Sequence, residues 1–291
     1  MASQGEISGR ILSLAPACGP KVMFPPESSN LPECRSHPRR KGTQLVSDSA
    51  QSGARVIVVV PTYNEADNVR KLADRVLAAF PGIELLIVDD NSPDGTGDLA
   101  DEIAAQEPRF RVMHRTKNRG YAPSSREGLT WCRERGYDFA VTMDGDLSHD
   151  PARIPALVEC ARTGAALVVG SRYIPGGAVE ADWGPIRRAV SEMGSRYARA
   201  MIGTQVRDCT SGYRCYSAEA LRTLRFDELH SDGYAFLIEV LAQLAGAGME
   251  VTEVPITYID RQHGASKISR SIILEALAET TGIGLRRMLR R

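Results

Sequence analysis

Nowhere in the 291 residues is there an unbroken apolar run of the roughly 18 residues that a membrane-spanning helix needs, so no transmembrane span is expected. The amino end lacks a basic start followed by a long apolar core, and no secretory signal is expected either. Charge of one sign is also missing. The 36 basic residues balance 36 acidic ones, which argues against a nucleic-acid binder. The six cysteines, Cys18, Cys34, Cys132, Cys160, Cys209 and Cys215, have no close-pair spacing of a zinc site and are too few for a disulfide scaffold at this length. Reduced thiols, as in a cytosolic protein, are the expectation. No G-x-G-x-x-G follows the first apolar run, which disfavours a dinucleotide-binding Rossmann domain.

What is present is the composition of an ordinary soluble protein, 43% apolar and 25% charged. Residues 1–54 hold six prolines, nine serines and a basic Arg39-Arg40-Lys41, without a helical or strand period, and are expected to be a disordered leader. From Arg55 onward, short β-branched runs alternate with amphipathic stretches. Strands are expected over Arg55–Val60, Glu84–Val88, Phe110–His114, Phe139–Met143 and Ala165–Gly170. Helices are expected over Ala66–Phe80, to about Gln106, to about Arg135 and over Pro151–Arg162. Such alternation with short links predicts an open, largely parallel α/β sheet. Farther on, the pattern predicts a helix over Ile186–Gly203 and an exposed-edge strand over Asp208–Tyr216. A helix over Gly233–Ala247, one strand over Glu250–Ile259 and a polar loop over Asp260–Lys267 follow. The last segment, 270–291, reads as an amphipathic basic helix.

Polar or acidic clusters fall at the carboxyl ends of four of these strands: Pro61-Thr-Tyr-Asn-Glu65, Asp89 to Thr96, Asp144-Gly145-Asp146 and Ser171-Arg172-Tyr173. That edge is where open α/β sheets bind ligands. Asp-Gly-Asp is also a common turn composition, but at a strand's carboxyl end the two carboxylates suit a hard divalent cation. Mg²⁺ or Mn²⁺ is commonly held by one or two carboxylates together with substrate phosphates.

Taken in order, PTYNE, VDDNSPDGT, MDGDLSHDP, GSRY-PGG, DCTSGYRCY, DGYAF-IE and EVPITYIDR-HG-SK resemble family 2 glycosyltransferases of the polyprenol-phosphate mannose synthase group, over roughly Val56 to Ser269. The resemblance implies a GT-A fold, a mostly parallel mixed sheet flanked by helices, over 55–269. It also implies a metal-dependent, inverting enzyme that moves mannose from GDP-mannose to a polyprenyl (dolichyl-type) phosphate. By the same resemblance, Pro61, Tyr63, Glu65, Asp89 and Asp90 hold base and ribose, with Asp144 and Lys267 also on the nucleotide sugar. Asp144 and Asp146 bind Mg²⁺ or Mn²⁺, with His149 beside them. Because a guanidinium fork matches phosphate, Arg172 is the first candidate for the acceptor phosphate, with Arg187 and Arg261 behind it. Asp146 and Arg172 are the residues expected to carry catalysis.

The chain departs from the pattern at Gly145, where the family more often has alanine, and at Asn118-Arg-Gly-Tyr-Ala-Pro-Ser-Ser125, where it usually reads G-L-G-x-A-Y. The expected partners are GDP-mannose, a polyprenyl phosphate in a membrane and a membrane-anchoring protein, with no nucleic acid. The expected location is peripheral, on the cytoplasmic face of a membrane, with the basic carboxyl-terminal helix either packed on the domain or lying on anionic lipid. Two alternatives stand beside this reading: the glucosyl version using UDP-glucose, and a non-catalytic nucleotide-sugar-binding membrane adaptor. A receiver-like domain, suggested by Val88-Asp89-Asp90 alone, is opposed by the chain's length and its later motifs.

Overall fold

The computed structural model describes residues 53–79, 81–180, 184–259 and 270–289; all but the last two residues of the expected leader lie outside these. The first half follows the alternation read from the sequence. Strands β1 (Val56–Thr62), β2 (Glu84–Asp89), β3 (Phe110–His114) and β4 (Phe139–Thr142) are separated by helices α1 (Ala66–Ala79), α2 (Thr96–Ala104) and α3 (Tyr121–Glu134). A 3₁₀ turn at Pro151–Arg153 opens α4 (Ile154–Arg162), and β5 (Leu167–Ser171) and the short β6 (Ala178–Glu180) follow. Then come α5 (Pro185–Ile202), β7 (Arg214–Ser217), α6 (Ala218–Thr223), α7 (Gly233–Gly246), β8 (Val251–Pro255), β9 (Thr257–Ile259) and α8 (Arg270–Leu289).

Seven strands form one sheet in the order β3-β2-β1-β4-β7-β5-β8. Its pairs are parallel except those made by β7, which runs antiparallel to both β4 and β5. A sheet covered on both faces needs apolar side chains on both, and β1 shows why its run is unbroken. Val56, Val58 and Val60 join a core with Val69, Leu72 and Val76 of α1 and Leu157 of α4. Ile57 and Val59 join the opposite core with Leu129 of α3 and Phe236 and Leu241 of α7. In α1 the buried apolar residues Val69, Leu72, Ala73 and Val76 recur at helical spacing, giving one core-facing stripe.

Two expectations are corrected. The segment expected as an exposed edge strand over Asp208–Tyr216 pairs only over Arg214–Ser217, and β7 is interior and buried. Its alternation of polar and apolar residues misled because Arg214, fully buried, donates to the carbonyls of Cys209, Ser211 and Leu237, each at 2.8 Å. A charge so satisfied can sit inside a sheet. The single strand expected over Glu250–Ile259 is two: β8 joins the main sheet beside β5, and β9 leaves it to pair with β6. The thiols of Cys132, Cys209 and Cys215 are free and buried, as expected of reduced cysteines. Cys160 is disulfide-bonded, so the expectation of a wholly reduced set fails there.

Helix α3 lies against the sheet at Gly128, where an added Cβ would stand 2.5 Å from Val59 Cγ1 and 3.1 Å from Val88 Cγ2. Alanine is the better helix former by about 1 kcal/mol, but overpacking a filled core costs about 1–3 kcal/mol. Gly128→Ala is therefore expected to lower stability, read as a lower urea midpoint with an unchanged slope.

Candidate active site

The order 2-1-4 puts β1 at the point where the chain switches sides of the sheet, and the crevice at such a point is a ligand site. Loops from β1, β2 and β4 meet there. The first two are laced together by side chains of one accepting backbone groups of the other. The N–H groups of Asn64, Glu65 and Ala66 donate to Ser92 Oγ (3.0 Å), Thr96 Oγ1 (2.9 Å) and Asp94 Oδ2 (3.1 Å). The opening turn of α1 is thus capped from the neighbouring loop, a role that could not be read from α1's own sequence. Burial would raise the Asp94 carboxyl, but the hydrogen bonds from Thr96 and from backbone N–H groups outweigh it and hold the group below its ordinary value.

The carboxylates expected on base and ribose are engaged by the protein itself. Asp89 accepts from Ser92 Oγ (2.6 Å), Ser92 N–H (3.1 Å) and Thr62 Oγ1 (3.3 Å). Asp90 accepts from Arg115 Nη1 on one oxygen and from the Gly120 N–H on the other. Both are buried and hold loops in place. Of the expected nucleotide set, Tyr63 is the exposed member, with Pro61 and Glu65 half-buried beside it. Glu65 Oε2 accepts from Asn68 Nδ2 at 2.8 Å.

At the end of β4 the two aspartates differ. Asp144 keeps 31% of its side-chain exposure, whereas Asp146 is buried, its Oδ1 accepting from Ser148 N–H (3.1 Å) and Oγ (2.6 Å). Gly145 lies against β1 and its loop: a Cβ there would meet Thr62 Cγ2 at 3.3 Å and Glu65 Cγ at 3.5 Å. Gly212 approaches from the other side, its Cβ position 2.7 Å from Tyr121 Oη and 3.2 Å from Asp144 Oδ1, so any side chain there would intrude on the aspartate. The donor set is two hard oxygen-bearing groups, which fits Mg²⁺ or Mn²⁺. Among the described residues no cluster of three or more His, Cys, Asp or Glu could hold a metal ion unaided.

His149 lies beside Asp144, its Nδ1 4.0 Å from Asp144 Oδ2. Its Nδ1 accepts the Asp144 N–H at 3.2 Å, which puts the proton of the neutral ring on Nε2. The ring stacks on Tyr213 (centroids 4.9 Å) and meets Tyr258 edge-on (5.8 Å). Its burial favours the neutral form and lowers its pKa, against the pull of Asp144 and Asp146. The structure makes it a brace for the Asp144 backbone. Ile259 N–H donates to Ser148 O at 3.2 Å, so the chain enters segment 260–269 from the edge of this site. Arg261 and Lys267 fall in that segment, outside the described residues, and of Arg187 only the backbone is described.

Arg172 is at the end of β5, as expected, but its fork is occupied. Nε and Nη2 donate to the two oxygens of Asp208 at 2.7 and 2.8 Å, and its N–H donates to the same carboxylate at 3.0 Å. Asp208 is fully buried, and its own N–H and that of Arg207 donate to Glu253 of β8. Sequence reasoning missed Asp208, Ser148 and Arg115 as organisers of the site; the first two sit within motifs and Arg115 in none, and only the fold shows which side chain each one faces.

Comparison with known proteins shows the family and the fold. A sequence model of glycosyl transferase family 2 matches residues 57–225. An undecaprenyl-phosphate mannosyltransferase of Micrococcus luteus is 43% identical over 231 residues, covering 79% of this chain and 94% of the relative. A polyprenol monophosphomannose synthase of Mycolicibacterium smegmatis is 41% identical over 238 residues, covering 81% and 89%. Among solved structures, glucosyl-3-phosphoglycerate synthase from Mycobacterium tuberculosis, in complex with Mn²⁺, UDP-glucose and phosphoglyceric acid, aligns over 80% of each chain with a TM-score of 0.60 at 22% identity. That likeness establishes the GT-A fold.

Burial alone would raise the Asp208 carboxyl, but Arg172's charge and hydrogen bonds overcome it and hold the group below 3.8. A carboxyl depressed in the folded state adds stability above its unfolded value, about 3.9, and loses it as pH falls through the native value. Asp208→Asn should cost about 3–5 kcal/mol at neutral pH, because one member of a buried pair is left alone. The gap from wild type should begin to narrow below about pH 4 and close only as pH falls through the lower native value, which urea melts across pH would show.

Proposed function

This chain belongs to glycosyl transferase family 2, and we propose that it transfers mannose from GDP-mannose to a polyprenyl phosphate, giving polyprenyl-phosphate mannose. The observation that carries the reading is Asp144 and Asp146 at the end of β4, against the β1 loop at the switch point of the sheet. The names of the relatives at 43% and 41% identity support mannose as the sugar and a polyprenyl phosphate as the acceptor.

Asp144, the more exposed aspartate, and Asp146, held by Ser148, would hold a Mg²⁺ or Mn²⁺ ion, whose chemistry is Lewis-acid stabilisation of the diphosphate as it leaves. His149 keeps the Asp144 backbone in place. The acceptor is a phosphate monoester, already anionic at neutral pH, so it needs positioning more than a general base. A phosphate oxygen bonds to C1 of mannose as the bond from C1 to the diphosphate breaks, inverting the anomeric centre and releasing GDP. Asp208 holds Arg172 at the end of β5, where it is the first candidate for the acceptor phosphate, with Arg187, Arg261 and Lys267 behind it. Tyr63, Pro61 and Glu65 line the nucleotide side.

No helix among the described residues is long and apolar enough to cross a membrane. The acceptor's hydrocarbon tail must nevertheless be met at a lipid surface. Helix α8 packs on α5, with Tyr197 Oη 2.6 Å from Thr281 Oγ1 and Gly284 against Met201, so the two run side by side in the same direction. One turn before that bonded pair stand Met193 and Leu277, 66% and 38% exposed, with Val190 a further turn back. Exposed Arg188, Arg196 and Arg286 accompany them. Apolar side chains amid arginines suit the surface of an anionic membrane, so α8 serves both expected roles, packed by one face and open on another. We place the enzyme peripherally, on the cytoplasmic face.

Two experiments test the reading. Protein incubated with radiolabelled GDP-mannose, a polyprenyl phosphate and Mg²⁺ or Mn²⁺ should move label into the lipid phase, and UDP-glucose should not replace the donor. Asp146→Ala should abolish the transfer while keeping the native circular dichroism, and normal turnover in that variant would remove the metal assignment. In flotation with anionic liposomes, the double variant Met193→Ser, Leu277→Ser should bind less than wild type; equal flotation would move the lipid contact elsewhere.

A further inference from the structure

Arg115 stands directly after β3, with only 4% of its side chain exposed, too enclosed to reach a ligand. Its guanidinium nevertheless joins three elements around the nucleotide crevice. Nη1 donates to Asp90 at the end of β2 and to Ser124 Oγ of α3 at 2.7 Å. Nη2 donates to the carbonyls of Asn118 (2.9 Å) and Lys117 (3.3 Å). Asp90, with its other oxygen, accepts the N–H of Gly120, which opens α3. The segment 117–120 is therefore wrapped around one buried cation, paired with buried Asp90 and, through Nε at 2.6 Å, with the exposed carboxylate of Glu127 on α3.

That segment needs such a centre. Asn118 and Gly120 both have positive φ, 50° and 137°, a conformation costly for a non-glycine residue, which persists where surrounding contacts over-determine it. It also faces the crevice: the Arg119 guanidinium carbon lies 6.0 Å from the centroid of the Tyr63 ring on the β1 loop. This is the stretch where the resembling family carries more glycine, and here a buried ion pair sets a shape that backbone freedom alone would leave open.

We propose that Arg115 is a positioning residue for the sugar nucleotide, fixing segment 117–120 as the wall of the donor crevice opposite Tyr63 without touching the ligand. The inference rests on the donor reading above. It separates donor binding from chemistry, because segment 117–120 and the Arg172–Asp208 pair are held by different networks. Removing Arg115 should weaken nucleotide binding while leaving the acceptor side intact.

The test uses the full chain with Arg115→Lys, which keeps the charge but not the fork, and with the double variant Arg115→Met, Asp90→Asn, which leaves no unpaired buried charge. Calorimetry with GDP and Mn²⁺ should show Kd raised roughly tenfold or more, as for loss of charge-assisted hydrogen bonds, with the lysine variant intermediate. KM for GDP-mannose should rise in step, with kcat and the KM for polyprenyl phosphate little changed. Amide hydrogen exchange should quicken at 117–120 and not in β1 or α7. Unchanged donor parameters, or donor and acceptor parameters worsening together, would overturn the inference. Wild-type protein that binds neither GDP nor GDP-mannose would sink the donor reading and this inference together, whereas wild-type binding with unaltered variants sinks the inference alone.

Discussion

Negative charge held inside a low-exposure sheet edge is the constraint from which the site's architecture follows. Asp89, Asp90 and Asp146 are buried at or near the carboxyl ends of strands, and Asp208 is buried in the loop that leads into β7 at the same edge. An ionised carboxylate out of water is costly unless donors surround it. Each has them: Ser92 and Thr62 for Asp89, Arg115 and Gly120 for Asp90, Ser148 for Asp146, Arg172 for Asp208. Every one of these partners belongs to a loop or strand end, so satisfying the charges also fixes the loops. Asp144 differs in keeping nearly a third of its side chain open. An edge rich in acid is thereby divided into carboxylates that build the crevice and one that faces into it.

The strand order explains why these groups meet. With β1 flanked by β2 and β4, the loops bearing Tyr63, Asp89 to Thr96 and Asp144 to Asp146 leave the same edge in adjacent positions. The antiparallel β7 then brings the Asp208 to Gly212 loop to that edge from the opposite direction, its approach locked by Arg214 and the three carbonyls it holds. A fully parallel strand at that place would have delivered its preceding loop to the far side of the sheet. One reversed strand is what lets Gly212 approach Asp144 and Asp208 meet Arg172.

The elements easiest to read were those governed by local physics. The buried runs of β1, β2 and β4 announce themselves through unbroken apolar residues, and α1 through its stripe of Val69, Leu72, Ala73 and Val76. The polar clusters at the ends of β1, β2 and β4 were likewise legible, because each follows an apolar run directly. What escaped were features decided by distant partners. Arg214 looks like a surface residue until Leu237, 23 positions away, supplies a carbonyl. The strand from Glu250 to Ile259 reads as continuous, because nothing local tells that Val251 pairs with Leu167 while Thr257 pairs with Ala178. Asp89, Asp90 and Arg172 show the same limit: residue type showed that each would bind something polar, and only the fold showed which protein groups each one meets.

The two sides of the proposed reaction are consequently organised by separate buried ion pairs, one at Arg115 and Asp90, the other at Arg172 and Asp208. Between them stands the β4 loop, steadied by His149 against Tyr213 and Tyr258. Tyr258 precedes the last described residue before segment 260–269, and the Arg172 guanidinium carbon is 5.7 Å from its ring centroid. The end of β9 is therefore tied to both the β4 loop and Arg172. Tyr173, next to Arg172, bonds Ser191 of α5 at 2.7 Å, and α5 in turn carries Val190 and Met193 out to the exposed face. A continuous set of contacts thus runs from the β4 loop, through Tyr258 and Arg172, to the apolar surface of α5, as the proposed reaction between a water-soluble donor and a lipid-borne phosphate would require.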